Sequence, residues 1–493
     1  MQTLGIDLGS SSVKVALVDH ATGQTLADAQ FPDQEMSIDA PQPGWAEQQP
    51  DRWWDVLTQA LRRLAAKHSL RDVRAIGIGY QMHGLVCVDA DGNALRPSII
   101  WCDSRAVPYG EGAFQNLGPD RVLPRLLNSP GNFTAAKLAW VRDHEPDVYA
   151  RIDKIMLPGD YLALRMTGET HTSITGLSEG IFWDFQDHRA ADFLLDEFGF
   201  DPSLLPAAHG SFGAYGQLRA AVAGELGLPA GIPVTYRAGD QPNNALSLNV
   251  LEPGQVAATA GTSGVVYGVT DQVKYDPKSR VNTFAHVNHR PGEQTRLGVL
   301  LCINGVGIAN AWTRRLTGAT DYATMNAAAA KIQPGAEGLR FLPFGNGAER
   351  MLENKHIGAS LEGLDLVRHG QAHVYRAVVE GIAFAFRYGV DLMREVGVRP
   401  ELIRAGYANM FLSPDFRQTV ATLLGSRIEL YNTNGAVGAA VGAAIGAEFK
   451  QADEAFANLR VLETVTPDTG TQEVYETAYQ EWKSLLGKRL EGV

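Results

Sequence analysis

Leu4-Gly5-Ile6-Asp7-Leu8-Gly9-Ser10-Ser11-Ser12-Val13-Lys14-Val15-Ala16-Leu17-Val18 is the stretch on which the reading of this chain turns. Residues 4–8 form an apolar, β-prone run, Gly9 to Ser12 is a turn of small hydroxyl residues, and 13–18 is a second apolar run. That spacing predicts strand, tight turn, strand. Asp19 to Gly23 reads as another turn and Gln24 to Phe31 as a third strand, so the chain opens with a β-meander and not a strand–helix–strand unit. No helix-turn-helix fits ahead of residue 4, which argues against a sugar-responsive repressor.

The opening pattern returns past the middle of the chain. Val256 to Ala260 reads as a strand, Gly261-Thr262-Ser263-Gly264 as a turn and Val265 to Val269 as a strand. Two related halves, dividing near residue 250, follow from the echo. In the first half, 53–68 has helical periodicity with Trp54, Leu57, Leu61 and Leu64 on one face, and Asp51 stands where a cap belongs. Residues 73–80 read as a buried strand, Asp91-Gly92 as a hairpin turn, and 135–143 and 160–166 as helices. Residues 234–238 read as a strand that runs into Gly239-Asp240-Gln241. In the second half, helices are expected over 372–396, 416–424 and 437–449, with a short strand at 402–405. The helix at 437–449 is rich in Gly and Ala and suits close packing against a neighbour.

Composition narrows the function classes. The 493 residues are 45% hydrophobic and 20% charged, which gives a chain able to bury a large core. The net charge is −12, so non-specific attraction to nucleic acid or to an anionic membrane is not expected. An anionic ligand would have to be met by locally gathered N–H groups, a metal or a few basic side chains. Cys87, Cys102 and Cys302 are three, widely spaced and in apolar surroundings, which fits small buried hydrophobes in a reducing compartment better than disulfides. No secretory segment and no long apolar span stands out, so the expected location is the cytoplasm.

The motifs point to phosphate and to a polyol. A hairpin with Gly and Ser residues can aim N–H groups and hydroxyls at a phosphate, and an acid beside it, Asp7, can hold Mg²⁺ through water. The second hairpin, 261–264, suits the same task, whereas GxxxxGK[ST] is absent and no GxGxxG follows a strand. Asp240, at a strand end where the halves join, is placed as a general base. Gln81-Met82-His83-Gly84 follows the strand at 73–80 and, with Trp101-Cys102-Asp103-Ser104-Arg105, offers hydrogen-bonding groups and an aromatic face to a sugar. His286 and His289 have HxxH spacing but no evident third ligand, so zinc is not expected.

These residues resemble the FGGY carbohydrate kinases over nearly the whole chain, and within that family the xylulokinases. Asp7 to Lys14 is similar to the family's first phosphate motif and Ala260 to Gly264 to its second. Thr134-Ala135-Ala136-Lys137-Leu138-Ala139-Trp140 fits its N-terminal signature, with Asn132 departing. Ala359 to Leu364 followed by His373 to Glu380 fits its C-terminal signature, and Leu157 to Gly168 also looks like the family. Arg404 to Asn409 departs from the family's Gly-rich adenosine loop, and Gln241 stands where relatives often have Asn.

The resemblance implies an α/β fold of two actin-like (ribonuclease H-like) ATPase domains flanking a deep cleft: a sugar-binding domain over 1–248 and an ATP-binding domain over 249–493. It implies transfer of the ATP γ-phosphoryl group to a ketose, with O5 of D-xylulose the expected acceptor. A sister kinase of ribulose, fuculose or glycerol, and a non-catalytic sugar sensor of the same fold, stay open. In this reading Asp240 is the catalytic base. Met82, His83, Trp101, Arg105, Asp240 and Gln241 bind the sugar. Ser10, Ser11, Ser12, Lys14, Gly261, Thr262, Ser263, Gly264, Gly406 and Asn409 bind ATP, and Asp7 holds Mg²⁺. The expected partners are the ketose and ATP, with no nucleic acid and no membrane, and with a homodimer allowed.

Overall fold

A computed structural model describes residues 1–492. Two compact units form, and neither is a single segment. The first holds Met1–Leu251, Phe284–Leu297 and Thr433–Leu459; the second holds Glu252–Thr283, Gly298–Asn432 and the residues from Arg460 onward. Residues 284–297 and 433–459 therefore lie with the first unit, which one cut near residue 248 would not give.

In the first unit, strands β1 (Gln2–Leu8), β2 (Val13–Asp19), β3 (Gln24–Phe31), β4 (Val73–Tyr80) and β5 (Val234–Gly239) form one sheet in the order β5-β4-β1-β2-β3. The β1–β2 and β2–β3 pairs are antiparallel, while β4 and β5 are parallel to β1. Helix α1 (Pro50–Ala65) returns the chain from β3 to β4, burying Trp53, Trp54, Leu57, Leu61 and Leu64. Its cap differs from the expectation. Pro50 opens the helix after Gln49, and no side chain caps it. Asp51 instead accepts from the Tyr161 hydroxyl at 2.9 Å and pairs with Arg165 at 2.5 Å. A proline at the first position already supplies helical φ and lacks one of the N–H groups a cap would satisfy.

Helices α2 (Thr134–His144), α3 (Pro158–Thr167), α4 (Ile174–Glu179) and α5 (Asp240–Ser247) also belong to this unit. The second unit repeats the sheet plan. Strands β6 (Gln255–Ala260), β7 (Gly264–Thr270), β8 (Leu297–Ile303), β9 (Arg340–Phe344), β10 (Gly358–Glu362), β11 (Leu402–Gly406), β12 (Arg427–Tyr431) and β13 (Val461–Val465) include the run β8-β7-β6-β11-β12-β13 in one sheet. Again a first hairpin, β6–β7, is antiparallel, and two later strands lie parallel beyond its first member. The same strand order in both units is what the repeated strand–turn–strand pattern in the sequence announces. Helices α6 (Gly307–Thr317), α7 (Tyr322–Ala329), α8 (Gln371–Glu395) and α9 (Pro414–Leu424) also belong to this unit. The long α8 buries Val379, Ile382, Ala383, Phe386 and Val390 in the core.

The Gly/Ala-rich helix α10 (Gly435–Gly446) returns to the first unit. It lies so close to the sheet that a Cβ on Gly5 would stand 1.8 Å from the Ala436 carbonyl oxygen, and one on Gly77 2.0 Å from that of Ala439. Thr3 Oγ1 donates to the Ala440 carbonyl at 2.7 Å and Thr235 Oγ1 to that of Ala443 at 2.8 Å. Only small residues on both faces allow this approach.

The cysteine expectation is corrected. Cys87 is buried, with its thiol pushed up to about 12 by burial, but Cys102 and Cys302 are exposed. Apolar neighbours did not reveal their facing. Cys102 lies in the turn after Ile100, and Cys302 points outward from β8 where the strand is otherwise buried. No helix among the described residues is long and apolar enough to cross a membrane.

Candidate active site

Three parallel strands of the first unit end level with one another. Leu8 of β1 lies opposite Tyr80 of β4, and Tyr80 opposite Gly239 of β5. In open α/β sheets, ligands bind just outside such carboxyl ends. Register alone thus brings together Asp7 with the 9–12 turn, the 81–84 segment and Asp240.

The 9–12 turn is closed by the Gly9 N–H on the Ser12 carbonyl at 3.0 Å. The Ser11 carbonyl accepts from the Met36 N–H at 2.8 Å, and the Ser10 carbonyl from Gln48 Nε2 at 2.7 Å. In a trans peptide the N–H points opposite to the preceding C=O. Carbonyls turned into the protein therefore turn the N–H groups of Ser11 and Ser12 the other way, as an anion would need. Asp7 is half-buried, and burial raises its carboxyl above the usual range, while the Lys14 ammonium pulls in the opposite direction. Lys14 stands directly across the ladder from Asp7. Gly435, the first residue of α10, crowds the acid: a Cβ there would come 2.3 Å from Asp7 Oδ2.

Asp240 is the first residue of α5. Burial, and next the charge of Asp7, push its carboxyl up to about 7, against the Gln241 side chain, whose Nε2 donates to Asp240 Oδ2 at 3.2 Å. A carboxylate that titrates near neutrality suits proton acceptance. Buried Asn243, one turn along α5, donates from Nδ2 to the Gly435 carbonyl at 2.9 Å. The helix that carries Asp240 is thereby tied to the start of the helix beside Asp7.

His83 is held with φ +61°, a backbone state that costs energy in most residues and persists where surroundings enforce it. Its N–H donates to Glu179 Oε2 at 2.9 Å, and its carbonyl accepts from Lys137 Nζ at 2.7 Å. Its Nδ1 is 3.0 Å from the Glu179 carbonyl oxygen, which can only accept, so the network assigns the proton to Nδ1. The imidazole packs on Phe133 and Phe284, at 4.8 and 5.4 Å between centroids. Burial holds Glu179 well above the carboxylate range and lowers Lys137 to about 7. Met82 fills the space beside Gly239, where a Cβ would fall 2.4 Å from Met82 Cγ and 3.2 Å from Glu179 Oε1.

The neighbouring segment divides. Ile100 shares the Lys137 ammonium with His83, its carbonyl accepting at 3.1 Å, and Trp101 next to it is 52% exposed. Arg105 is buried, its guanidinium bonded to Asp103 at 2.7 Å and Glu47 at 2.7 Å and lying 3.7 Å above the Trp45 ring. Its visible part is to hold the 44–48 segment, since Asp103 Oδ2 also accepts from the Ala46 N–H at 2.6 Å.

In the second unit, Gly261, Thr262 and Asn409 line one cavity of about 480 Å³, together with Asn310 and Asn326. A Cβ on Gly261 would stand 3.7 Å from Asn409 Nδ2, and Asn409 itself has φ +54°. Gly264 is packed instead against Val306 and Phe386, which leave no room for a Cβ. Sequence reasoning did not single out Glu179, Asn243, Asn310, Asn326 or Gly435. They come from segments far apart in the chain and carry no local pattern. The one available signal was the fit of Lys137 to the N-terminal signature.

Residues 2–247 match the N-terminal domain, and residues 256–448 the C-terminal domain, of the FGGY family of carbohydrate kinases. The chain is also 32% identical to the xylulose kinase of Escherichia coli (strain K12), with 99% of each chain covered. It belongs to the FGGY carbohydrate kinases. This FGGY chain is similar in structure to the xylulose kinase of Rhodospirillum rubrum, at 28% identity, TM-score 0.89 and 99% coverage of both chains. A gluconate kinase from Lactobacillus acidophilus superposes with the same TM-score, 0.89, over 99% of this chain and 98% of its own, but at 20% identity that likeness shows the fold alone. The FGGY fold implied by the motifs, an actin-like α/β plan, is therefore the one present.

Proposed function

We propose that this chain transfers the γ-phosphoryl group of ATP to O5 of D-xylulose. The observation that carries the reading is the level ending of β1, β4 and β5, which sets a neutral-titrating Asp240 beside Met82, His83 and Asp7. The full-length likeness to xylulose kinases supports the choice of ketose over other sugars.

Phosphoryl transfer has a loose transition state, so positioning and charge stabilisation carry most of the catalysis. Asp240 orients the sugar hydroxyl and accepts its proton, with Gln241 steadying the carboxylate. His83, fixed with Nδ1 protonated, presents Nε2 as an acceptor in its neutral form and so recognises a sugar hydroxyl rather than the ketone oxygen. Met82 and Trp101 supply apolar surface to the carbon skeleton. The turns at 10–12 and 261–263 supply N–H groups and hydroxyls to phosphate oxygens, and Lys14 adds positive charge. Gly406 and Asn409 border the nucleoside.

The donor set fits a hydrated divalent cation: two carboxylates, one raising the other's pKa, suit Mg²⁺ bound through Asp7 and water. When bound, the cation neutralises charge on the phosphates.

A panel of D-xylulose, D-ribulose, L-fuculose, gluconate and glycerol, read by ADP release, tests the proposal. D-xylulose should show the highest kcat/KM. A higher value for another substrate reassigns the acceptor, and binding of sugar with no turnover of any overturns the kinase reading.

A further inference from the structure

Among the described residues outside the candidate site, the buried carboxyl group of Glu349 forms no salt bridge and sits where it can set a backbone geometry. Glu349 is 1% exposed. Its Oε1 and Oε2 stand 2.9 and 3.2 Å from the Asn304 N–H, and the Gly305 N–H also donates to it. The same turn is fixed from other sides. Asn304 Nδ2 donates to the Ala348 carbonyl at 2.8 Å, and a Cβ on Gly305 would come 1.6 Å from the Pro343 carbonyl oxygen.

Two residues on, α6 begins, and its first turn grips the second hairpin. The Gly307 N–H donates to the Gly261 carbonyl at 2.8 Å and the Ile308 N–H to the Thr262 carbonyl at 3.1 Å. A Cβ on Gly307 would stand 2.3 Å from the Gly261 oxygen, so only glycine allows so close an approach. With both carbonyls fixed on α6, the N–H groups of Thr262 and Ser263 are turned to the opposite side. Those are the groups that a nucleotide phosphate would use.

We infer that Glu349 is a positioning residue for the nucleotide phosphates, acting through the Asn304–Gly305 turn and the start of α6 on the hairpin at 261–263. The inference rests on the reading of that hairpin as a phosphate site. An ionised carboxylate accepts from both N–H groups at once, whereas a protonated one sets an O–H among N–H donors and loses acceptor capacity. Burial pushes this carboxyl up to about 7, against the pull of the two N–H donors.

No charged side chain among the described residues forms a salt bridge with Glu349, and its charged chain neighbours reach elsewhere. Arg350 Nη1 reaches the Ser279 carbonyl at 3.4 Å, Glu353 pairs with Lys278 at 2.8 Å, and Lys355 Nζ donates to the Leu490 carbonyl at 2.9 Å. The Cys302 thiol, two residues before Asn304, is exposed, and the Arg350 guanidinium feels its charge. Nucleotide affinity should therefore fall as the pH drops through about 7.

Binding of ADP with Mg²⁺, measured by titration calorimetry between pH 6 and 8.5, tests this on the full-length protein. Wild-type affinity should weaken several-fold toward pH 6. Glu349→Gln should bind about tenfold more weakly at pH 8, the order expected when a buried donor loses its partner. It should also show a flatter pH dependence than wild type and leave ketose affinity unchanged. Glu349→Asp, which keeps the charge, should recover part of the loss. Equal ADP affinity in Glu349→Gln and wild type would overturn the inference, as would a parallel loss of ketose affinity with a lowered Tm, the mark of a merely structural residue. A wild-type protein that binds ketose but no nucleotide would overturn the kinase reading itself.

Discussion

Replacing Asp240 by Asn separates what this carboxyl does for chemistry from what it costs the fold. Its pKa stands at about 7 against an ordinary 3.8, chiefly through burial and next through the charge of Asp7. Between those values the unfolded chain is ionised while the folded protein keeps its proton. The folded state therefore loses stability as pH rises from about 4 to about 7, and the loss is complete above that. A displacement of about three pH units at about 1.4 kcal/mol each is worth about 4 kcal/mol, and partial access of solvent reduces this to about 2–4 kcal/mol. Asp240→Asn removes the titration and keeps the shape. The variant should be more stable than wild type by about that amount at pH 8, by about half as much near pH 5.5, and by nothing near pH 4. Its kcat should fall by roughly 10²–10⁴-fold, the usual scale for loss of a general base. Urea unfolding across this pH range and steady-state ADP release are the two measurements. Near-wild-type turnover would leave Asp240 a turn residue, and a stability difference that does not change with pH would refute its raised pKa.

Asp7→Ala should weaken Mg²⁺ dependence and lower kcat while ketose affinity measured without nucleotide hardly changes; collapse of ketose affinity with metal dependence intact would displace Asp7 from the phosphate side. His83→Ala should lower kcat/KM for D-xylulose by about 1–3 kcal/mol, the scale of an unpaired buried polar group, with sugar-free ATP hydrolysis little affected. Equal loss of both activities, with a large drop in Tm, would make His83 a core residue. Lys137→Met removes the donor to the His83 and Ile100 carbonyls; it should raise KM for the ketose and leave KM for ATP unchanged, and a rise in both would show that Lys137 supports the fold generally.

What the sequence made legible was local and repeated. The strand–turn–strand unit at 4–18 and its echo at 256–269 are short-range patterns, and both became hairpins at equivalent places in two like-ordered sheets. Asp7, His83 and Asp240 could be singled out because each stands at the end of an apolar run, and strand ends meet when parallel strands are in register. The partners that fix them could not be read this way. Glu179 reaches His83 across 96 positions, and Gly435 reaches Asp7 from a helix more than four hundred positions away. Such pairings are set by how helices pack on the sheet, for which a single sequence carries no periodic signal. Arg105 shows the converse. Its position beside Trp101 suggested a ligand, but a planar guanidinium with two carboxylates and an indole ring within reach is satisfied inside the protein.

The return of residues 433–459 to the first unit sets an order on biosynthesis. During translation β1 is made first, yet the helix that seals it, pressed on Gly5 and Gly77, emerges only after the greater part of the second unit. Until then the sheet face that Gly5, Gly77 and Tyr236 present to this helix stays uncovered, and apolar surface left exposed in an incomplete domain favours aggregation. A truncated product ending before residue 433 should for the same reason fail as a free-standing domain, despite containing Asp7, His83 and Asp240. The first unit thus cannot close until residues 433–459 have emerged, and the second unit waits longer still, for the strand and helix that follow Arg460.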